Sequence, residues 1–203
     1  MKPVRVVTGR AVPLDRSDID TDQIIPAEWL KRVERAGFGA GLFASWRDDR
    51  SFVLNDESYA GATILLAGPN FGIGSSREHA VWALTDYGFA AVVSPRFGDI
   101  FRNNAIKQGL LPVAVDAGLG RALMDAVVAE PSTEITIDVA RGTVEAPAAG
   151  VSGTFTLDEF DRQRLVNGWD DIGLIMRYEP DIERYESSRS PWLPTIGSSR
   201  RGG

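Results

Sequence analysis

Between residues 63 and 115 the chain alternates short apolar runs with stretches of helical length, and this alternation restricts the fold more than any other feature. The runs over 63–67, 90–94 and 110–115 read as strands, and the segments 76–87 and 97–108 between them read as helices. A helix between two strands returns the chain to the edge where the first strand began. The strands are therefore expected to lie at least partly parallel, in an α/β layered class. Beyond 115 the pattern gives a helix over 119–129 and β-rich pieces over 134–139 and 143–145, a hairpin with its turn at Arg141-Gly142 that suggests a second β-layer.

The flanks are less regular. Residues 4–7 read as a short strand, 15–22 as an acidic turn-rich stretch, and Pro26 suits the first helical position of 26–32. Gly37, Gly39 and Gly41 then break regular structure, so this region reads as a long, mobile surface loop. Near the other end, Thr156 and Glu159 have the spacing of a capping box opening a helix through 166, followed by an amphipathic stretch over 170–185. From 187 to 203 the composition turns to Ser, Pro, Gly and Arg, which reads as a poorly ordered tail. There is no internal repeat.

Composition narrows the function. A chain of 203 residues, 43% hydrophobic and 25% charged, can bury the core of one domain with a terminal extension. The net charge is −6 and the basic residues are scattered, which argues against a nucleic-acid partner. With no cysteine and one histidine, the chain alone can build no disulfide framework, zinc site or cysteine-held cluster, so any transition metal must come from elsewhere. Residues 1–10 lack a sustained apolar segment and no apolar run is long enough to span a bilayer, so the expected location is the cytoplasm, off the membrane. Asp18, Asp20 and Asp22 are spaced like calcium ligands, but Gln23 stands where that loop needs glycine and Trp29 where it needs a bidentate glutamate.

The segment 68–80, Gly-Pro-Asn-Phe-Gly-Ile-Gly-Ser-Ser-Arg-Glu-His-Ala, carries the most chemistry. It leaves a strand, makes a glycine turn at Gly72 and Gly74 and runs into a helix, where backbone N–H groups and the helix dipole favour an anion. Ser75 and Ser76 add hydroxyls, and Arg77 adds a planar fork suited to a carboxylate or phosphate. Ser75 with Glu78 also fits a capping box, a purely structural role compatible with anion binding. A Walker loop fails for want of lysine between Gly68 and Arg77, and a dinucleotide fingerprint starting at Gly72 fails at Arg77. A serine-hydrolase triad fails because the one histidine, His79, lies on the same helix.

This turn resembles the signature of the small, swivelling domain of aconitase-type hydro-lyases. Three further segments agree in the same order: residues 20–26 (Asp-Thr-Asp-Gln-Ile-Ile-Pro), the glycine and aromatic stretch 38–46, and residues 96–104 followed by Gly109-Leu110-Leu111-Pro112. Within the family the isopropylmalate dehydratase branch is the nearest. The resemblance implies a swivelling β/β/α domain of the aconitase C-terminal type over 1–186, its C-terminal helices included. It also implies a hydro-lyase activity that isomerises 2-isopropylmalate to 3-isopropylmalate in leucine biosynthesis. The chain would act as a heterodimer with a large subunit whose cysteines hold a 4Fe-4S cluster, and would itself bind no cofactor.

By the same resemblance Ser75 matches the family's catalytic base, and Ser76 and Arg77, with Gly74 beside them, match groups that bind substrate. A serine hydroxyl is a poor base, so its alkoxide needs fixed N–H donors and a nearby cation, which the turn and Arg77 would supply. Asp22 matches a supporting acidic position, with a helix cap as the alternative. Arg32 lies near the place of a substrate-binding arginine, and Lys31 or Arg35 could stand for it; a solvated basic face is the alternative. His79 belongs to the signature as a supporting residue or is a locally bonded helix-face histidine, and Asp99, Arg102 and Asn103 are expected to cap or pack. The loop bearing Trp29, Leu30 and Val33 would meet the substrate's variable side chain. Two other functions remain open: a related hydro-lyase acting on citraconate or 2-methylmalate, and a non-catalytic anion-binding module.

Overall fold

The computed structural model describes residues 1–31, 37–75 and 77–189. The chain divides into two compact units, Met1–Asp170 and Asp171–Gly203.

In the first unit, β1 (Val6–Leu14) is followed by two one-turn helices, α1 (Thr21–Ile24) and α2 (Ala44–Arg47). Then come β2 (Ile64–Ala67), α3 (Glu78–Tyr87), β3 (Ala91–Ser94), α4 (Asp99–Gln108), β4 (Leu111–Ala114) and α5 (Ala117–Ala129). The unit closes with β5 (Glu134–Asp138), β6 (Thr143–Ala146), β7 (Val151–Thr154) and α6 (Glu159–Asn167). The expected alternation is present, each element within a residue or two of its expected bounds. Every residue of β2 and β3 is buried, as befits central parallel strands covered on both faces.

The seven strands run in the order β4-β3-β2-β1-β5-β6-β7. β1 joins the parallel and antiparallel parts. Its first half pairs antiparallel with β5, from Val6 opposite Asp138 to Arg10 opposite Glu134. Its second half pairs parallel with β2, from Ala11 opposite Ile64 to Leu14 opposite Ala67. The expected second β-layer is thus an extension of the same sheet through one shared strand. Alternation along β1 and β2 separates two cores. Val12, Leu14, Leu65 and Ala67 pack with α3, α4 and the aromatic stretch 38–52, whereas Ala11, Ile64 and Leu66 pack with α5 and the antiparallel strands.

Three expectations need correction. The stretch expected to be a mobile surface loop is, over 37–43, largely interior: Phe38, Gly39, Gly41, Leu42 and Phe43 are buried. Gly39 is the reason such a sequence can go inside, because a Cβ there would stand 2.8 Å from the backbone nitrogen of Tyr87 on α3. The helix after 156 is capped by Asp158, whose side chain accepts from the Phe160 N–H, and not by Thr156. The strand expected over 4–7 begins at Val6 and continues to Leu14.

The second unit contains α7 (Asp171–Met176) and α8 (Glu179–Ser188). The amphipathic stretch is broken in two because Pro180, which lacks an N–H to continue a helix, suits the first turn of a new one. Ser187 and Ser188, the first residues of the expected tail, close α8, and the tail from 190 onward lies outside the described residues. No helix among the described residues is long and apolar enough to cross a membrane.

Candidate functional site

Because β1, β2 and β3 are parallel, the loops that follow them leave the sheet at one edge, the place where α/β sheets form ligand crevices. The three loops are bonded to one another along their length. Gly68 N–H donates to the Arg16 carbonyl (3.0 Å) and Asp18 N–H to the Pro69 carbonyl (2.9 Å), joining the loop after β1 to the loop after β2. Phe71 N–H donates to the Arg96 carbonyl (2.9 Å) and Gly98 N–H to the Phe71 carbonyl (2.9 Å), joining the loops after β2 and β3. The hydroxyl of Ser94, fully buried, lies 2.8 Å from both the Gly68 and the Arg96 carbonyl oxygens and can donate to either.

The glycine turn is held most tightly at Gly72. Its N–H donates to the Ile19 carbonyl at 2.7 Å and its φ is +74°, a left-handed conformation costly for any residue with a Cβ. A Cβ at this position would lie 2.3 Å from Cγ of Phe101, a buried ring of α4 packed edge-on to Phe71. Gly74 is likewise left-handed, at φ +89°, and is exposed. In the loops after β1 and β2, Asp18 (φ 54°) and Asn70 (φ 62°) share that conformation, and the Asn70 amide donates to the Asp18 carboxylate at 2.6 Å. That hydrogen bond, with a smaller one from Ser17, holds the Asp18 carboxyl below the usual aspartate range.

From this turn the chain delivers Ser75 to an exposed position. Its carbonyl faces inward and accepts from the hydroxyl of Thr21 at 2.8 Å. The helix that follows starts later than expected: its cap is Arg77, in extended conformation and with no side-chain capping bond, so the Ser75–Glu78 capping box is not formed. Glu78 instead accepts from the Gln108 amide of α4 at 2.9 Å.

Asp22 and Arg77 form an ion pair through Oδ1 and Nη1. Asp22 is not the helix cap, because Asp20 fills that place with a full capping box to Gln23, leaving Asp22 to face the arginine. The arginine side chain is 22% exposed and the aspartate 55%, so the pair lies at the rim of the interior with one side open.

The structure therefore brings Gly74, Ser75, Arg77 and Asp22 together. His79 points elsewhere, its ring packed on Trp82 at 4.6 Å and on the buried Phe38 at 5.4 Å. Arg102 pairs with Asp161 of α6 at 3.5 Å, Asp99 opens α4 without acting as its cap, and Asn103 is exposed. Ser76, Arg32, Val33 and Arg35 lie outside the described residues. Trp29 and Leu30 are half-buried, and the indole of Trp29 lies against Gly41. Among the described residues no group of three or more His, Cys, Asp or Glu side chains converges as metal ligands would.

Thr21 and the Asp18–Asn70 contact are not announced by the motifs of the sequence. The signal for Thr21 was a hydroxyl residue directly after a capping aspartate, in a segment otherwise read for its carboxylates. For Asp18 and Asn70 it was two residue types that tolerate left-handed backbone, each placed in a turn.

The family model for the aconitase C-terminal domain matches residues 1–118. A 3-isopropylmalate dehydratase small subunit from Parafrankia sp. (strain EAN1pec) is 64% identical over 196 residues, covering 96% of this chain and 99% of that one. A protein of the same description from Streptomyces coelicolor is 56% identical over 187 residues, covering 92% and 94% respectively. Among solved structures, 3-isopropylmalate dehydratase from Methanocaldococcus jannaschii matches with a TM-score of 0.67 at 25% identity, over 88% of this chain and 98% of that one.

Proposed function

As the chain belongs to the 3-isopropylmalate dehydratase small-subunit family, built on the aconitase C-terminal domain, we propose that it forms one wall of a hydro-lyase active site completed by a large subunit. The reaction converts 2-isopropylmalate to 3-isopropylmalate by loss and re-addition of water through isopropylmaleate, a step of leucine biosynthesis in the cytoplasm. Residues 1–186 act as the swivelling domain, the C-terminal helices included.

Dehydration requires removal of a weakly acidic proton beside a carboxylate, and Ser75 is the group assigned to that task. Its alkoxide takes the proton from C3 and its hydroxyl returns one to C2 after the alkene has been re-oriented. Arg77, with Nη1 turned to Asp22, directs its remaining N–H groups at a substrate carboxylate, and its charge lowers the cost of the alkoxide beside it. Asp22 holds the guanidinium in that direction, Gly74 lets the substrate approach the backbone, and Ser76 adds a second hydroxyl. A basic residue of the segment 31–35, Arg32 or else Lys31 or Arg35, is assigned to a substrate carboxylate and the segment around Trp29 and Leu30 to the isopropyl group. His79 supports α3 through its aromatic neighbours. The Lewis-acid chemistry that helps the hydroxyl depart belongs to a 4Fe-4S cluster on the large subunit, since a chain without cysteine has no thiolate to hold one.

One observation supports this reading: Ser75 is exposed and stands two residues before an arginine whose guanidinium a carboxylate already holds. The test is reconstitution with a cluster-bearing large subunit, followed by the ultraviolet absorbance of the alkene. Isopropylmaleate forms from 2-isopropylmalate when both subunits are present and not with either alone. Turnover of 2-methylmalate or citraconate in place of isopropylmalate would overturn the substrate assignment, and a chain that binds carboxylate but no large subunit would overturn the enzyme.

A further inference from the structure

Thr21 takes no part in the chemistry just described, yet its side chain is buried to 2% exposure and its hydroxyl is bonded to the main chain of Ser75. Its own N–H donates to the Ile73 carbonyl at 3.0 Å, so a single residue grips the turn both at Ser75 and two residues before it. Its neighbours continue the same pattern, with Asp20 forming a β-bridge to Ile73 and Asp22 pairing with Arg77. Residues 20, 21 and 22 thus hold residues 73, 75 and 77 in register, and α1 is the template on which the turn is laid.

We propose that Thr21 is a positioning residue for Ser75, which turns the Ser75 carbonyl inward and so leaves the serine hydroxyl on the open side, facing substrate. The inference rests on the reading of Ser75 as the reacting base. The peptide unit is planar, so anchoring the carbonyl oxygen of Ser75 fixes the orientation of the adjoining main chain, from which the side chain projects. Ser75 has no base of its own hydrogen-bonded to it among the described contacts, so its reactivity depends on where it is held relative to Arg77 and the substrate. Without the Thr21 hydroxyl the carbonyl loses its interior partner and the turn is free to rotate toward water, where that oxygen is satisfied and the hydroxyl is misdirected.

The test compares T21V, T21A and T21S in the complex reconstituted with a large subunit, using 2-isopropylmalate as substrate. In T21V and T21A, kcat falls by about 10- to 100-fold with KM within about twofold, whereas T21S, which keeps the donor, stays within about threefold of wild type. In the full chain, amide exchange over residues 72–77 is faster in T21A than in T21S. The inference is overturned if T21A and T21S turn over alike, or if T21A lowers only the melting temperature while kcat holds. If T21V does not fold, the T21A and T21S pair, which differ by one hydroxyl, carries the comparison. If the wild-type complex leaves 2-isopropylmalate untouched, the dehydratase reading fails separately, and equal exchange protection in T21A and T21S then overturns the role of Thr21 on its own.

Discussion

Replacing Gly72 by alanine tests whether the turn that carries Ser75 is clamped between its neighbours or merely rests on them. Two costs add. Alanine at φ +74° occupies the left-handed region at roughly 1–2 kcal/mol. Its Cβ would also stand 2.3 Å from Cγ and 2.7 Å from Cβ of Phe101. That ring cannot swing away easily, because it is packed at 5.2 Å from Phe71 and 6.2 Å from Phe97, and overpacking of this kind costs about 1–3 kcal/mol. G72A is therefore expected to lose about 2–5 kcal/mol in total. Gly150 supplies the control: its φ is +66° and nothing lies within 4 Å of a Cβ there, so G150A bears the backbone cost alone, about 1–2 kcal/mol. Urea unfolding of both variants measures the difference as a midpoint shift at constant slope. With a slope of about 2 kcal/mol/M, G72A unfolds about 1–2.5 M earlier than wild type. If G72A and G150A lose the same stability, Phe101 yields without cost and the turn is not clamped.

Other consequences are independent of that one. D22N removes the partner of Arg77 at a position more than half exposed, so stability changes by less than about 1 kcal/mol while KM for 2-isopropylmalate rises several-fold; a large loss of stability with unchanged KM would make the pair purely structural. D158A costs about 0.5–2 kcal/mol by removing the cap of α6, whereas T156A costs almost nothing, and thermal melts that reverse this order would restore the capping box read from sequence. D18N keeps an acceptor for Asn70 and a residue tolerant of φ 54°, but loses the charge. Because the folded-state pKa of Asp18 lies below its unfolded value of roughly 3.9, its contribution is full above that pH and is lost as pH falls through the folded value. The wild-type advantage over D18N in melting temperature should therefore be present at neutral pH and vanish in strong acid; an advantage that grows on acidification would contradict the assignment.

The central α/β pattern was legible because each strand there is a short apolar run buried on both faces and bounded by turn residues, as at Ile64–Ala67 and Ala91–Ser94. β1 is legible only to Val7 because Thr8, Gly9 and Arg10 interrupt the apolar run; the pairing with β5, which no local pattern encodes, keeps them extended. β7 escaped because Val-Ser-Gly-Thr is too short and polar to announce a strand, and the hydrogen bonds of β6 supply what propensity does not. The glycines at 37–41 suggest surface because glycine usually marks turns. Here Gly39 permits close approach to α3, and the neighbouring Phe38 and Phe43 draw the segment inward. At the site, the residue types from Gly72 to Arg77 announced anion chemistry, but the grip of α1 on the turn is a tertiary fact that neither segment shows alone.

The most direct measurement is kcat of the S75A variant at saturating 2-isopropylmalate, in a complex whose assembly has been checked by size-exclusion chromatography. If this side chain carries the proton, loss of a general base lowers kcat by about 10²- to 10⁴-fold with the two subunits still associated. A correctly assembled S75A complex that turns over within about threefold of wild type would contradict the account, because the proton would then be moving through some other group.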